Sequence, residues 1–163
     1  MLAGLLLFSL SLTPEAPFAI ADAFLSRISD STRLINGIKH LIQVTYKLAL
    51  ISEKRSILDS DLMHCATKTS LRKTSQLLAA GYPNHPRLHR FVFARAAELG
   101  ILETPPKPIL TGKDLLDLGI EPGPQFKEIL SDFYNAQLNG KIVSKAQAVQ
   151  LLTRLFEEDS EEE

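Results

Sequence analysis

The sequence predicts an all-α protein, a bundle or array of about seven or eight helices that ends in a short helical subdomain. Apolar residues recur three or four positions apart in several stretches, and no stretch shows sustained two-residue alternation. Prolines and glycines fall mainly between these stretches, where they interrupt helices. The chain has 163 residues, of which 45% are hydrophobic, so it can bury a core. We therefore expect helices joined by short connections.

Residues 1–102 are predicted to form a helical body. The apolar run from Leu2 to Leu12 predicts a first helix that stops before Pro14. Apolar positions from Phe18 to Ile28 lie three or four residues apart and predict a second helix. The first run also has the length of a signal-peptide core, but no basic segment precedes it. We interpret it as a core helix.

The body continues with a third helix, which Ser31 or Thr32 can cap and which runs to about Ile51. Residues 56–80 are predicted to form two helices on either side of a break, because a polar basic patch, KTSLRKTS, interrupts their apolar pattern. Gly81 is expected to end the second of these helices in the left-handed conformation.

Another helix is predicted from about Pro86 to Leu99, with Gly100 closing it. The proline-rich segment at 103–108, ETPPKP, is predicted to be an extended, semi-rigid linker. It separates the body from a C-terminal helical domain at 109–156. Residues 157–163 are mostly acidic and are predicted to form a disordered tail.

Capping boxes organise the predicted C-terminal domain. Thr111 and Asp114 begin a short helix that Gly119 ends, and Ser144 and Gln147 begin the last helix. The helix between them is expected to stop at Asn139-Gly140. Its inward-facing residues are predicted to be Phe126, Ile129, Leu130, Phe133, Tyr134 and Leu138. The inward-facing residues of the last helix are predicted to be Ala148, Val149, Leu151, Leu152 and Leu155.

The formal net charge of −1 hides two segments of opposite sign. Six of the nineteen acids lie at 157–163, so residues 1–156 carry 18 bases against 13 acids. Between Ser31 and Arg95 there are eleven bases against three acids. A polyanion partner is one interpretation, because cations that reach phosphates release condensed counterions. A solvated basic face is the other.

Asp59 and Asp61 have the D-x-D spacing with which two carboxylates hold magnesium in nucleotidyl transfer. Such a pair needs a glycine-rich loop beside it, and no glycine occurs between Gly37 and Gly81. The pair also falls at the start of a predicted helix, where aspartates commonly cap. We therefore predict that both residues are helix caps.

His85 and His89 are four residues apart, as two zinc ligands on a helix would be, but no further ligands are evident. We predict no metal site and interpret the two histidines as RNA-facing or solvated. Cys65 is expected to be a buried apolar residue, because it lies in no nucleophile motif. No serine-nucleophile elbow or phosphate-binding loop is present in the sequence, so no catalytic residue is predicted.

No apolar run reaches the roughly 20 residues that a membrane-spanning helix needs, so no membrane crossing is predicted. A single cysteine excludes an internal disulfide and fits a reducing compartment. We expect a cytoplasmic protein.

Residues from Ile109 to Leu152 carry a recognisable series of motifs: TGKDL, LG, PGP, then QL and G. The positions that fit the series are Thr111, Gly112, Asp114, Leu115, Leu118, Gly119, Pro122, Gly123, Pro124, Leu130, Gln137, Leu138, Gly140 and Ala146. This region resembles the C-terminal segment of class II tRNA nucleotidyltransferases, the CCA-adding enzymes, and of their poly(A) polymerase relatives. The KTSLRKTS patch and the acidic tail depart from that family's pattern.

The resemblance implies a tRNA- or RNA-binding part of an enzyme that adds CCA or poly(A) to RNA 3′ ends. In that family the catalytic head holds Mg²⁺ and ATP or CTP; the resemblance implies that this chain lacks the head, carries no cofactor and is not active alone. The expected partners are tRNA or another RNA and a separate nucleotidyltransferase head chain. The alternative is a helical protein-interaction module that docks through Leu2–Leu12.

Seven cations are the candidate RNA contacts: Lys68, Arg72, Lys73, Arg87, Arg90, Lys113 and Lys127. The family motif residues are interpreted as structural: Thr111, Gly112, Asp114, Gly119, Pro122, Gly123, Pro124 and Gly140. Thr111 and Asp114 should cap, Leu115 and Leu118 should pack, and Gly123 should allow a sharp turn. The helix that starts at Pro124 would present free amides that suit a phosphate.

Overall fold

The computed structural model describes Arg27, residues 31–83 and residues 85–161, with side chains as far as Leu155. The helices predicted at Leu2–Leu12 and Phe18–Ile28 lie outside these residues, apart from Arg27. In the described part of the chain every regular element is a helix, which confirms the all-α prediction. None of the described helices is both long enough and apolar enough to span a bilayer.

Seven helices are described. In chain order they are α1 Thr32–Lys54, α2 Asp59–Ala66, α3 Leu71–Gly81, α4 Pro86–Glu98, α5 Gly112–Asp117, α6 Pro124–Leu138 and α7 Lys145–Glu161. The chain divides into two compact units, the first ending at Pro106 and the second beginning at Lys107. This division falls within the proline-rich segment at 103–108.

The first unit is built around α3, which contacts both α1 and α4. Ser31, one of the two residues predicted to cap this helix, caps α1. Its hydroxyl oxygen accepts a hydrogen bond from the Leu34 N–H at 3.4 Å. The buried apolar residues of this unit form one main cluster: Val44, Leu48, Ala49, Ile57, Leu62, Cys65, Ala66, Leu71, Leu78, Leu88, Val92, Ala96 and Ile101. This core fixes the positions of α1 to α4 through apolar burial.

The predicted break within residues 56–80 is confirmed, because α2 ends at Ala66 and α3 begins at Leu71. The Thr67 hydroxyl donates to the His64 carbonyl at 2.7 Å, and Ser70 caps α3 by accepting from the Lys73 N–H at 3.4 Å. These short polar side chains end one helix and start the next, since they bond to backbone groups that a helix terminus leaves unpaired.

The left-handed cap predicted at Gly81 is wrong. Gly81 is the last residue of α3, and the chain leaves the helix at Tyr82, where φ is −127°. The Tyr82 N–H still donates to the Leu78 carbonyl at 2.9 Å, so no residue of positive φ is needed. Gly100 does close α4 as predicted, with φ of 69° and the Ile101 N–H donating to the Ala96 carbonyl at 2.9 Å.

The second unit packs α5, α6 and α7 around a smaller core. Its buried apolar residues are Leu110, Leu115, Ile142, Ala148 and Leu152, with partly buried side chains of α6 against them. The inner residues predicted for the last helix are confirmed for Ala148 and Leu152, which are almost fully buried. The predictions for Leu151 and Leu155 are wrong, since these side chains are 38% and 52% exposed.

Two further expectations for this unit fail. Leu118, predicted to pack, is 41% exposed, because it follows the last residue of the short helix α5 and precedes the left-handed Gly119. The acidic segment predicted to be disordered is helical as far as Glu161, as a continuation of α7. A helix that has already nucleated on a packed core propagates at low cost, which explains the extension.

Candidate nucleic-acid interface

Asp114 joins the start of α5 to the start of α7 in the second unit. One carboxylate oxygen accepts hydrogen bonds from the Thr111 N–H at 2.8 Å and the Thr111 hydroxyl at 2.7 Å. The other lies 2.5 Å from the Lys145 ammonium. The hydrogen bond from Lys145, with those from Thr111, lowers the pKa of Asp114 to about 2. Capping by Asp114 is therefore as predicted, and it has a charged partner that the sequence analysis missed.

Three glycines of the family motif have distinct roles. Gly119 and Gly140 have φ of 80° and 71°, a conformation that side chains with a Cβ rarely adopt. Gly123 does not make the predicted sharp turn, because its backbone is extended, with φ of −160°. A Cβ at Gly123 would instead lie 2.9 Å from the Gln125 side-chain oxygen. Gly112 opens α5, and a Cβ there would only touch the Phe126 ring at 4.0 Å.

Both prolines of the PGP motif lie at the start of α6. Pro122 is exposed in the turn, and Pro124 occupies the first position of the helix, where its missing N–H costs nothing. Lys113 and Lys127, the candidate RNA contacts of this unit, are exposed on α5 and α6. Neither forms an ion pair with a described residue.

Gln137 has a structural role that its place in the motif did not reveal. Its side-chain amide donates to the Lys107 carbonyl at 2.8 Å, and its side-chain oxygen accepts from the Ile109 N–H at 2.9 Å. The amide thus pairs with the backbone of an extended segment as a neighbouring strand would. Gln147 does the same for the α6–α7 connection, bonding the Lys141 carbonyl and the Val143 N–H.

In the first unit each aspartate of the D-x-D pair binds a different arginine. Asp59 receives two hydrogen bonds from Arg95, at 2.7 and 2.6 Å, and Asp61 receives two from Arg55, at 2.8 and 2.9 Å. These hydrogen bonds lower the pKa of both carboxyls. The capping prediction is confirmed for Asp61, which also accepts from the Leu58 N–H at 2.9 Å.

The prediction that Asp59 caps α2 is wrong, because its carboxylate is used in the pair with Arg95. Between residues 31 and 155, where side chains are described, no three His, Cys, Asp or Glu residues converge as a metal site requires. His85 precedes α4 and is exposed, and His89 is half-buried on that helix. Cys65 is buried as predicted, and burial raises the pKa of its thiol to about 11, as in an unreactive cysteine.

Arg72, one of the candidate RNA contacts, has partners within the protein. Its guanidinium forms an ion pair with Glu103 and lies over the Phe93 ring, 5.4 Å from the ring centre. Its neighbour in sequence, Lys73, forms no ion pair with a described residue. The two adjacent cations therefore differ, since among the described residues Arg72 has an ion-pair partner and Lys73 has none.

A row of cations lies along α1, opposite the connection between α2 and α3. Arg33 and Lys73 line one depression of about 410 Å³, and Lys47 and Lys68 line another of about 340 Å³. We call these four residues the cationic strip. Both depressions lie between α1 and residues 64–73, and among the described residues that line them none is acidic.

The structure thus brings Lys68 and Lys73 beside Arg33 and Lys47, which the sequence analysis had counted only in the total charge. Helical spacing was the signal that could have found them. Arg33 and Lys47 are fourteen residues apart on one helix, close to four full turns, so they lie near one face. Their pairing with Lys68 and Lys73 depends on where α2 and α3 pack.

The remaining candidates lie elsewhere on the first unit. Arg87 lines a third depression, of about 620 Å³, together with Arg55 and His85. Arg90 is exposed on the same helix, α4. The five candidate cations of the first unit therefore do not form a single surface. Only Lys68 and Lys73 join the cationic strip, and Arg87 belongs to a separate groove.

Comparison with known proteins relates part of this chain to one enzyme. Over 50 residues it is 44% identical to an A-adding tRNA nucleotidyltransferase of Halalkalibacterium halodurans. A segment of this chain is related to that family. The match covers 31% of this chain and 12% of the enzyme, so the chain spans a small part of its curated relative. No family model matches the sequence. No solved structure matches it significantly either.

Proposed function

We propose that this protein binds RNA through the cationic strip. The observation that carries the proposal is the convergence of Arg33, Lys47, Lys68 and Lys73 on two depressions with no acidic residue among their described linings. Each cation that reaches a phosphate releases counterions and adds affinity that does not depend on base sequence. A row of such cations along a helix suits the phosphates of an RNA backbone.

The relation to a tRNA nucleotidyltransferase favours tRNA among the polyanions. The matched segment is 50 residues long, and the region that resembles the family's C-terminal segment, Ile109–Leu152, has a similar length. We therefore propose an RNA-binding part of a nucleotidyltransferase-like protein that takes part in 3′-end CCA addition or polyadenylation. In this proposal the second unit contributes Lys113 and Lys127 as additional contacts.

The proposal is tested by titrating labelled tRNA with the full chain at about 50 and 200 mM salt. The test variant carries Lys47→Gln, Lys68→Gln and Lys73→Gln. If three phosphate contacts are lost, the slope of log affinity against log salt should fall by roughly 2 to 3, at about 0.7–0.9 per contact. Glutamine is an unbranched polar residue with a helix propensity close to that of lysine, so folding should be retained.

The matched control removes three equal charges from other places, with Lys54→Gln, Lys107→Gln and Lys141→Gln. All three side chains are exposed, so the net charge and solubility change as in the test variant. The control should keep most of the affinity and the salt slope. Equal losses in both variants would refute the cationic strip as the binding surface, and no tRNA binding at the lower salt would refute the whole proposal.

Adjacent residues offer a sharper comparison. Lys73→Gln should lower the slope of log affinity against log salt by roughly 0.7–0.9, the value for one phosphate contact. Arg72→Gln should leave the slope nearly unchanged, because its charge is already paired with Glu103. A larger effect from Arg72→Gln than from Lys73→Gln would mean that the RNA displaces Glu103 and that the strip has been assigned to the wrong residues.

A second candidate function is protein docking through the second unit. Its support is a depression of about 440 Å³ lined by Phe133, Ala136 and Ile142, with the exposed Leu151 and Leu155 at its side. Leu2–Leu12, on which this hypothesis first rested, lies outside the described residues. Apolar docking differs from phosphate binding in that added salt does not weaken it. Salt-resistant binding of a protein partner, lost with Leu151→Gln and Leu155→Gln, would favour it.

A further inference from the structure

The largest groove described above lies on the first unit and shares no lining residue with the two depressions of the cationic strip. It is formed by the end of α1, the residues that follow it and the first half of α4, with a volume of about 620 Å³. The lining residues are Ser52, Arg55, Ser56, Ile57, His85, Pro86, Arg87, Leu88 and Phe91. Its volume falls in the range of small-molecule sites, roughly 300–1,000 Å³.

One wall of this groove presents an aromatic ring. Phe91 is 44% exposed although it lies on α4, a helix whose Leu88 and Val92 are buried in the core. Leu88 and Ile57, each 9% exposed, are apolar residues that line the same groove. An exposed ring with apolar neighbours can stack a nucleic-acid base, because every base has an aromatic face.

The polar part of the groove suits an anion. Arg55 is neutralised, because its guanidinium binds Asp61 at 2.8 and 2.9 Å and donates to the Ser56 carbonyl at 2.8 Å. Arg87, by contrast, forms no ion pair with a described residue. Among the described residues that line the groove none is acidic. The available charge beside Phe91 is therefore the positive charge of Arg87.

We propose that this groove binds a nucleotide unit, with the base against Phe91 and the phosphate on Arg87. A base and a phosphate are the two chemical groups that an exposed ring and a guanidinium without an ion-pair partner among the described residues recognise together. The site shares no residue with the cationic strip, so it is a second site beyond the proposed RNA-binding surface. The nucleotide unit has two possible sources, a free mononucleotide or one residue of a single-stranded RNA.

The full chain is titrated by calorimetry with AMP, with the trinucleotide ApApA, with adenosine and with inorganic phosphate. AMP or ApApA should bind at least tenfold more tightly than adenosine or phosphate, because only they offer both groups. Preference for AMP identifies a free nucleotide as the ligand, and preference for ApApA identifies a strand residue. Absence of saturable binding by both overturns the proposal, as does phosphate binding as tightly as AMP.

Two variants locate the site. Phe91→Leu should weaken binding of the preferred probe about tenfold, which corresponds to about 1.4 kcal/mol of lost stacking. Arg87→Gln should weaken it by a similar factor and remove most of its salt dependence. Both side chains lie at the surface, and the midpoint of thermal unfolding of each variant is measured to check that the fold is kept.

The matched controls lie on the same helix. Phe93→Leu removes a second exposed ring, one that lies under Arg72, and Arg90→Gln removes a second exposed cation. Neither residue lines the groove, so both variants should bind the probe like the unaltered chain. If Phe93→Leu weakens binding as much as Phe91→Leu, the assignment to this groove is wrong. The Lys47, Lys68 and Lys73 triple variant should retain AMP binding, which separates this site from the cationic strip.

Discussion

The side-chain oxygen of Gln137 accepts a hydrogen bond from the backbone N–H of Ile109 at 2.9 Å, so α6 holds the segment that enters the second unit. The other half of the same amide donates to the Lys107 carbonyl. An extended segment has no internal hydrogen bonds, and its backbone groups need partners elsewhere. Gln137 supplies two of these partners. This pairing is a physical reason for a glutamine at this position of the family motif.

Gln137→Ala should therefore destabilise the second unit. Two hydrogen bonds are lost, each contributing about 0.5–1.5 kcal/mol, so we expect a loss of about 1–3 kcal/mol in urea unfolding. Amide exchange at Ile109 should become faster, because its N–H loses its acceptor. The control is Gln150→Ala on the exposed side of α7, which should be nearly neutral. Unchanged exchange at Ile109 in the Gln137 variant would contradict this role.

Asp114 predicts a pH dependence of stability. Its folded pKa is about 2, whereas an unperturbed aspartate titrates near about 3.9. A carboxyl whose pKa is lower in the folded state stabilises that state at pH values above its unfolded pKa. The stabilisation disappears as the pH falls through the folded pKa. The difference in unfolding midpoint between the unaltered chain and Asp114→Asn should thus be full above about pH 4–5 and shrink toward pH 2.

This prediction is checked by thermal unfolding of both proteins across that pH range. Asp117→Asn is the control, because Asp117 is an exposed carboxylate on the same short helix. Its effect on the midpoint should be small and should not follow the same pH profile. A difference between the unaltered chain and Asp114→Asn that stays constant to pH 2 would contradict the lowered pKa of Asp114 that the bonds from Lys145 and Thr111 cause.

Leu152 and Leu155 are three residues apart on α7 and differ in burial. Leu152 is 1% exposed and Leu155 is 52% exposed. Leu152→Ala should cost about 2–5 kcal/mol of unfolding free energy, as truncation of a buried leucine leaves a cavity. Leu155→Ala should cost under about 0.5 kcal/mol, as a surface substitution does. Equal losses measured by urea unfolding would mean that α7 is rotated from the orientation described.

Gly140 and Gly37 should respond in opposite ways to alanine. Gly140 has φ of 71°, and forcing an alanine into that conformation should cost about 1–2 kcal/mol. Gly37 lies inside α1, and a Cβ there meets nothing within 4 Å. Gly37→Ala should therefore stabilise the protein by about 0.5–1 kcal/mol. Thermal and urea unfolding of the two variants check both signs, and a stabilising Gly140→Ala would contradict the left-handed conformation.

Helix positions and most helix ends followed from the sequence because they depend on neighbouring residues. Ser31 caps α1, Gly100 and Gly119 end helices, and Thr111 with Asp114 begins α5, all through bonds or conformations within a few residues. Gly81 shows the limit of such local signals. A glycine at a helix end permits a left-handed cap but does not require one, and the following Tyr82 kept a helical hydrogen bond instead.

Orientation and charge pairing depended on residues far apart in the chain. Periodicity marked five apolar residues of α7 as one face, yet the neighbouring helices cover Ala148 and Leu152 and leave Leu155 exposed. Arg72 and Lys73 look alike in sequence, but Glu103, thirty-one residues beyond Arg72, pairs with the arginine.

The cationic strip also depends on residues that are far apart in the chain. Arg33 and Lys47 share a helix face because of local geometry, whereas Lys68 and Lys73 reach that face only through the packing of α2 and α3. Local hydrogen bonds and backbone preferences depend on a few neighbouring residues, so the amino-acid sequence specifies them directly. Which charges meet, and which apolar side chains are covered, follows from contacts that exist only when distant segments have packed together.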